Sequence, residues 1–233
     1  MEPISQNYMA YDRTITVFSP DGRLLQVEYA RQAVIRGSTC IGLKTNEAVI
    51  LGAIKTSTPL AVNESFKKIY EIDKHVGAVC SGLLADARDL IEMARIKAQI
   101  SRITFNEPIS VKSVATYIAD HKHMVTQYAG VRPYGVGLLI GGVDSSGARL
   151  YETDPSGTLI EWKAQSLGKD SEKVRKVLKA SYKEAMSVKD GIGLVLKALR
   201  SGDKETKIEN IEIAVITKNK FERLSGKEIA KHE

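Results

Sequence analysis

Cysteines and long apolar runs are scarce in this chain. Its 233 residues include only two cysteines, Cys40 and Cys80, each in a strand-like apolar segment and outside any CxxC pair. We expect two buried free thiols, which suits the reducing cytoplasm. No apolar run approaches the roughly 20 residues that cross a bilayer, and residues 1–10 lack the basic and then apolar order of a secretory signal. The sequence therefore predicts a cytoplasmic protein without a membrane partner.

Long blocks of a single charge are also absent. The chain has 34 basic and 28 acidic residues, a net charge of +6, and the two signs are interspersed along the sequence. This pattern predicts a mixed, solvated surface and no nucleic-acid partner. No linker, repeat or low-complexity segment interrupts residues 1–233, a length that fits one large domain or two small ones. We interpret the chain as a single domain.

Residue patterns typical of metal or cofactor sites are missing as well. His121 and His123 lie two residues apart on a predicted helix, so their side chains point to different sides and cannot share a metal. His75 is isolated in a predicted turn, where we expect it to be exposed. The glycines between residues 135 and 142 lie in or beside an apolar strand with no helix directly after it, unlike a dinucleotide-binding loop. We expect no metal and no cofactor.

Hydrophobic periodicity predicts blocks of strands that alternate with pairs of helices. Apolar residues at helical spacing indicate helices near residues 84–98, 110–128, 171–182 and 189–199. Strand-like runs precede, separate and follow them, at 39–43, 48–54, 68–72, 76–80, 136–143, 149–153, 158–162, 164–167 and 211–216. Because helices come in pairs, a doubly wound parallel sheet is disfavoured. Two antiparallel sheets, face to face with a helix pair on each outer side, would bury every apolar stripe.

The most specific part of the sequence is residues 11–30. Its β-branched and aromatic run, Thr14–Phe18, favours extended backbone, and Ser19–Gly22 favours a turn. Asp21 could cap a following helix, whose apolar stripe stops before Gly37. We therefore divide the chain into an N-terminal arm, a helix and a domain body: residues 1–22, 23–36 and 38–233.

This segment resembles, nearly residue for residue, the N-terminal signature of proteasome α subunits of the archaeal type. Shorter strings similar to that family follow across nearly the whole chain: Ser81–Arg88, Arg132–Val136 and Asp154–Gly157. The resemblance implies an α+β fold, a four-layer αββα sandwich of the N-terminal nucleophile hydrolase type with an added N-terminal helix. It also implies rings of seven α subunits, two of which cap two rings of catalytic β subunits and admit unfolded proteins to the proteolytic chamber. Homomeric and heteromeric rings both remain open.

The resemblance further assigns two groups of site residues. One group would gate the pore at the ring axis: Tyr11, Asp12, Arg13, Pro20 and Tyr29. The other would bind the C-terminal tails of a regulatory ATPase ring, with the lysine pairing to the terminal carboxylate: Gly37, Lys68 and Leu83. The alternative for the gate group is an arm that merely packs on a neighbour. The alternative for Lys68 is a surface lysine without a partner.

The related β subunits use an N-terminal threonine as nucleophile, which raises the alternative of a catalytic chain that matures before Thr39. Three features argue against it. Cleavage there would discard the distinctive arm and helix, Ser38 stands between the glycine and the threonine, and Ala48–Asn63 contains no Asp or Glu where the family's active site needs a carboxylate. Lys68 aligns with the family's catalytic lysine but lacks a partner acid and a free amine. We expect no catalytic residue, and instead a structural and gating subunit of a threonine-type endopeptidase complex.

Overall fold

Two antiparallel sheets form the centre of the computed structural model, which describes residues 15–55, 60, 62, 66–203 and 206–232. The first sheet has the spatial order β10 (Lys220–Arg223), β9 (Ile211–Thr217), β2 (Val49–Ile54), β1 (Cys40–Lys44) and β8 (Ala164–Leu167). The second has the order β3 (Ile69–Asp73), β4 (Val76–Gly82), β5 (Val136–Asp144), β6 (Gly147–Thr153) and β7 (Leu159–Glu161). Every neighbouring pair in both sheets is antiparallel.

The pairing of β4 with β5 shows how the sheets divide the core. Ala78 lies opposite Ile140, and Val79 lies opposite Leu139. Because successive side chains of a strand point to opposite faces, the two pairs serve different layers. Ala78 and Ile140 pack with the helices outside the sheet, whereas Val79 and Leu139 pack against the first sheet. Both strands are therefore buried on both faces, which explains their nearly continuous apolar sequence.

Helices cover both outer faces. The described residues contain α1 (Leu25–Arg36), α2 (Leu84–Phe105), α3 (Val111–Val125), α4 (Ser171–Ser181), α5 (Val188–Gly202) and α6 (Gly226–Ala230). The pair α2 and α3 packs on the second sheet, and the pair α4 and α5 packs on the first. The order of layers is helices, sheet, sheet, helices, which confirms the αββα sandwich that the resemblance implied.

Several helix starts follow local sequence rules. The hydroxyls of Ser110, Ser187 and Ser225 each accept a hydrogen bond from the first turn of their helix. The prediction that Asp21 caps the N-terminal helix was wrong. That helix begins at Leu25 without a side-chain cap, and the Asp21 carboxylate instead accepts from Ser19 Oγ at 2.6 Å, inside the preceding turn.

One strand was not predicted and one other expectation was wrong. The segment after β9 contains the helix α6 and also forms the edge strand β10. His75, expected to be exposed, is buried, and its Nε2 lies 2.8 Å from the carbonyl oxygen of Ile109. The connection between α2 and α3 covers this turn, a contact between distant residues that the sequence pattern around His75 does not show.

Among the described helices, none is long and apolar enough to cross a membrane.

Candidate functional site

Helix α1 lies against β4 and β5 at the edge where the chain enters the first sheet. It buries Val27 and Val34 on the face toward the sheet and exposes much of the opposite face, while Leu25 is buried at its N-terminal end. Ser81, on β4, donates its hydroxyl to the carbonyl oxygen of Val34 at 2.9 Å. The same carbonyl accepts from the amide of Gly37 at 3.1 Å, so Ser81 adds a second donor at the end of the helix. The end of α1 is therefore joined to the second sheet by packing and by a buried hydrogen bond.

A second contact joins α1 to the turn after β6. Arg31 donates from Nε and Nη2 to Asp154 Oδ2 at 2.9 and 2.8 Å, and Nη2 also lies 3.2 Å from Ser156 Oγ. Burial raises the pKa of the Asp154 carboxyl, but hydrogen bonds from Ser156 and Arg31 outweigh this effect and leave it below the ordinary value. The carboxylate is thus charged at neutral pH and holds the middle of the helix.

The junction after α1 is unusually close-packed. Gly37 ends the helix, and a Cβ placed there would lie 2.4 Å from Ser81 Oγ and 2.5 Å from the amide nitrogen of Gly82. Gly82 has a φ of +115°, and a Cβ added to this residue would lie 2.2 Å from the carbonyl oxygen of Gly135. The next residue, Leu83, donates its amide to that same carbonyl at 3.0 Å and is 47% exposed. Glycines are needed at both positions because backbone approaches backbone.

Lys68 is buried rather than a surface lysine. Only 4% of the residue is exposed, and Nζ donates to the carbonyl oxygen of Ser38 at 2.5 Å and to its hydroxyl at 2.6 Å. The amide of Lys68 donates to Glu212 Oε2 at 3.1 Å, which holds the start of β3 on β9. The predicted pocket residues thus converge on one junction, since Lys68 reaches the residue after Gly37, and Gly37 packs on the residue before Leu83.

The predicted gate group is only partly within the described residues. Tyr11, Asp12 and Arg13 lie outside them. Pro20 lies in the exposed turn before α1, where the amide of residue 22 donates to the carbonyl of residue 19 at 2.8 Å. Tyr29 lies on α1 with 44% of its surface exposed. The two described members therefore face solvent on the outer side of the arm and helix.

The hydroxyls of Ser38 and Thr39 are not arranged for nucleophilic catalysis. Ser38 directs its hydroxyl proton to the carbonyl oxygen of Ile54 at 2.9 Å and accepts from Lys68, so this lysine is a donor to the hydroxyl and not its base. Thr39 is 2% exposed, and its Oγ1 accepts from the amide of Asp170 at 3.4 Å. In the part of the chain that the structure describes, no three His, Cys, Asp or Glu residues could together hold a metal.

An ion pair beside the junction was not singled out in the sequence, although both partners lie in family-like strings. Arg132 donates from both terminal nitrogens to Asp86, with each N–O distance at 2.7 Å, and the amide of Gly135 donates to the same carboxylate at 2.8 Å. Burial raises the pKa of Asp86, but the bonds from Arg132 and Gly135 outweigh this effect and leave it below the ordinary value. The pair fixes the loop that carries Gly135 against the start of α2.

A fully buried lysine was also missed. Lys122 is 0% exposed, and Nζ donates to the carbonyl oxygens of Val136 and Thr153 at 2.9 and 3.0 Å. Burial lowers the pKa of this lysine to about 7. The signal in the sequence was its spacing, because Lys122 lies four residues after Ile118 and three before Val125 on the apolar stripe of α3.

Family comparisons give the same assignment on two separate segments. The general model of proteasome subunits matches residues 34–216, and the model of the N-terminal signature of the A-type proteasome subunits matches residues 11–33. The chain belongs to the proteasome α-subunit family. Similar proteins, each described as a proteasome alpha subunit, come from Methanopyrus kandleri, Methanothermobacter thermautotrophicus and Methanocaldococcus jannaschii. Their identities are 50%, 49% and 47%, and the alignments cover 94%, 100% and 95% of this chain and 90%, 94% and 86% of the relatives.

The two matched segments of this proteasome protein meet within α1, between residues 33 and 34. The signature therefore covers the arm from residue 11, the turn and most of the helix, whereas the broader model covers the sandwich from the end of α1 to β9. This confirms the resemblance that residues 11–30 carried. It also identifies the arm and helix as the segment that a separate α-type signature recognises.

Proposed function

We propose that this chain is the non-catalytic α subunit of a 20S proteasome core in the cytoplasm. Seven copies would form each outer ring, stack on the β subunits and control the passage of unfolded proteins to the proteolytic chamber. The observation that carries the proposal is the placement of α1. The helix is locked to β4 and to the turn after β6, directly before β1, at the position where a catalytic chain would need a free N-terminal nucleophile.

The gating part of the proposal is supported by what the described arm exposes. Val17 and Phe18 are 42% and 63% exposed, next to a turn that hydrogen bonds fix. Exposed apolar side chains on an ordered segment favour contact with another surface. In a ring, that surface would be the neighbouring protomer, and the arms would meet at the axis. Tyr11, Asp12, Arg13, Pro20 and Tyr29 would then form the contacts that hold the pore open or closed.

The docking part rests on the junction around Ser38. Leu83 offers an exposed apolar side chain, and Lys68 offers an ammonium group just behind Gly37. A terminal carboxylate that reached Lys68 would compete with the neutral oxygens of Ser38. Hydrogen bonds between an ammonium and a carboxylate are stronger than those to a neutral acceptor. We infer that the terminal carboxylate of an ATPase tail replaces the Ser38 oxygens as the acceptor of the hydrogen bonds from Lys68, and that this exchange shifts the end of α1.

The docking proposal is tested by Lys68→Ala in a particle assembled with β subunits. We expect ATPase-stimulated protein degradation to be lost, while rings still assemble. Lys67→Ala is the matched control, because Lys67 is exposed, adjacent in sequence and of the same charge. Lys68→Arg should restore part of the stimulation, since it keeps the charge. Normal stimulation in Lys68→Ala, or an equal loss in Lys67→Ala, would remove the basis for the docking role.

The gating proposal is tested separately by deletion of residues 1–12. Basal hydrolysis of a short peptide by the assembled particle should rise, because the deletion removes Tyr11 and Asp12 from the pore. Substitution of Met1–Ala10 by an unrelated sequence of equal length is the control, because it keeps the bulk of the arm together with Tyr11 and Asp12. Unchanged hydrolysis after the deletion would contradict a gate but leave the docking test unaffected.

A further inference from the structure

The positive charge of this chain is concentrated on one of its two helix layers. Residues 163–200, which contain β8, α4 and most of α5, have ten lysines and arginines but only four acidic residues. That excess of six equals the net charge of +6 of the whole chain. Residues 84–125, which form the opposite helix layer, have six basic and five acidic residues. The basic excess therefore lies in one continuous part of the sequence, which the fold places on one outer face.

A cleft lies within this basic layer, between α4 and the edge strand β8. Its volume is about 390 Å³, and its walls include Trp162, Leu178 and Tyr182. Tyr182 donates its hydroxyl to the carbonyl oxygen of Lys44 at 3.1 Å, so the ring is fixed as a wall. The indole Nε1 of Trp162 is buried and has no hydrogen-bond acceptor among the described residues. The cleft thus combines apolar walls with one donor that lacks an acceptor.

Cations surround the opening of the cleft. Lys163, Arg175 and Lys179 line it, and none of the described residues that line it is acidic. Lys163 pairs with Glu184 at 2.9 Å, but both side chains are mostly exposed, so this pair contributes little. Arg175 and Lys179 are exposed, and within the described ranges they have no ion-pair partner. They lie four residues apart on α4, a spacing at which like charges destabilise a helix.

We propose that this cleft binds an acidic peptide segment of a partner protein, with one large apolar side chain inserted between Trp162 and Leu178. The carboxylates of the segment would lie against Arg175 and Lys179. A second copy of this chain is disfavoured, because apposed α4 and α5 layers would bring like charges together. A nucleic acid would use the cations but would gain little from a narrow apolar cleft. The site is separate from the junction of Gly37, Lys68 and Leu83.

The test uses assembled rings of the full chain and a fluorescein-labelled peptide with two glutamates on each side of a central phenylalanine. Fluorescence anisotropy should show saturable binding that weakens with salt. Arg175→Glu combined with Lys179→Glu should weaken binding about tenfold or more, because both contacts become repulsive. Arg88→Glu combined with Lys112→Glu, an equal change of charge on the opposite layer, should leave binding unchanged. A peptide with serine in place of phenylalanine should bind about tenfold more weakly.

Several results would overturn this assignment. No binding to the rings would do so, as would an equal loss in the two double variants. Equal binding of the phenylalanine and serine peptides would mean that the surface binds polyanions in general. Equally tight binding of a single-stranded oligonucleotide of the same charge would mean the same. Binding to the separated chain but not to the ring would mean that this layer is buried between protomers.

Discussion

Gly37→Ala is the sharpest test of the junction between α1 and the sandwich. The backbone at Gly37 has φ −65° and ψ 156°, which alanine adopts without strain. Any destabilisation by the substitution therefore comes from the space available and not from backbone strain. The new Cβ would lie 2.4 Å from Ser81 Oγ, 2.5 Å from the amide nitrogen of Gly82 and 3.2 Å from its Cα. The hydroxyl can rotate away, but the backbone of Gly82 is paired with Val136 in the sheet and cannot yield easily.

Overpacking of this kind typically costs about 1–3 kcal/mol, and we expect the upper part of this range because the contact is with backbone. For a chain of this length, 1 kcal/mol lowers the melting temperature by about 2–4 °C. Gly37→Ala should therefore lower it by roughly 5–10 °C, measured by circular dichroism at a fixed protomer concentration. Assembly shifts apparent stability, so the concentration must match between variants.

Gly226→Ala is the matched control. Gly226 starts α6, and no atom lies within 4 Å of its added Cβ. The same chemical change should be neutral there or stabilising by up to about 1 kcal/mol, because alanine restricts the unfolded chain. A Gly37→Ala variant within about 0.5 kcal/mol of the parent chain would refute the close backbone approach at the junction.

Two further predictions concern charges that the sandwich buries. Lys122→Met should abolish a rise in unfolding free energy between about pH 7 and pH 10.5, since the unfolded chain binds more protons than the folded one over this window. Urea unfolding of both proteins across this range measures the difference, and parallel profiles would contradict a lowered pKa. Arg132→Ala should destabilise the chain by about 1–3 kcal/mol at neutral pH, because it removes the charged donor that binds both oxygens of the Asp86 carboxylate. The loss should shrink as Asp86 becomes protonated in acid, so a pH-independent difference would argue against the pair.

The individual helices were accessible from the sequence because they depend on local periodicity, whereas their arrangement in four layers was implied by the family resemblance. The stripe of α3 repeats at helical spacing, and Ser110 precedes it as an N-cap, so position and orientation both follow from neighbouring residues. The same reasoning placed a third helix and a fourth helix within a few residues of α4 and α5. Boundaries shifted where the last turn frays or where a strand extends by a residue.

Contacts between distant segments were not accessible in this way. Lys68 meets Ser38 across 30 residues, and Arg31 meets Asp154 across 123. A local sequence pattern shows neither of these contacts, so a surface lysine without a partner was an alternative for Lys68. The prediction that His75 is exposed was wrong for the same reason, because the carbonyl that it contacts lies 34 residues later, at Ile109.

The separation of charge is present in the sequence as a local excess, because residues 163–200 have ten basic and four acidic residues. The excess does not form a block, since the basic residues of α4 and α5 are interspersed with apolar ones. The packing of both helices on one face of the first sheet places this excess in a single layer. The cleft beside Trp162 depends on the same packing, since its walls come from β8 and α4.

Native mass spectrometry of the chain assembled with β subunits distinguishes an uncut α-type chain from a processed catalytic one. We expect outer rings of seven chains, each with its residues before Ser38 intact. Dissociation of the same particle should release chains of the uncut mass. A chain that begins at Thr39, or at Ser38, would contradict the assignment as a non-catalytic α subunit, because the arm and helix would then be a removed propeptide and the chain would be of the catalytic type.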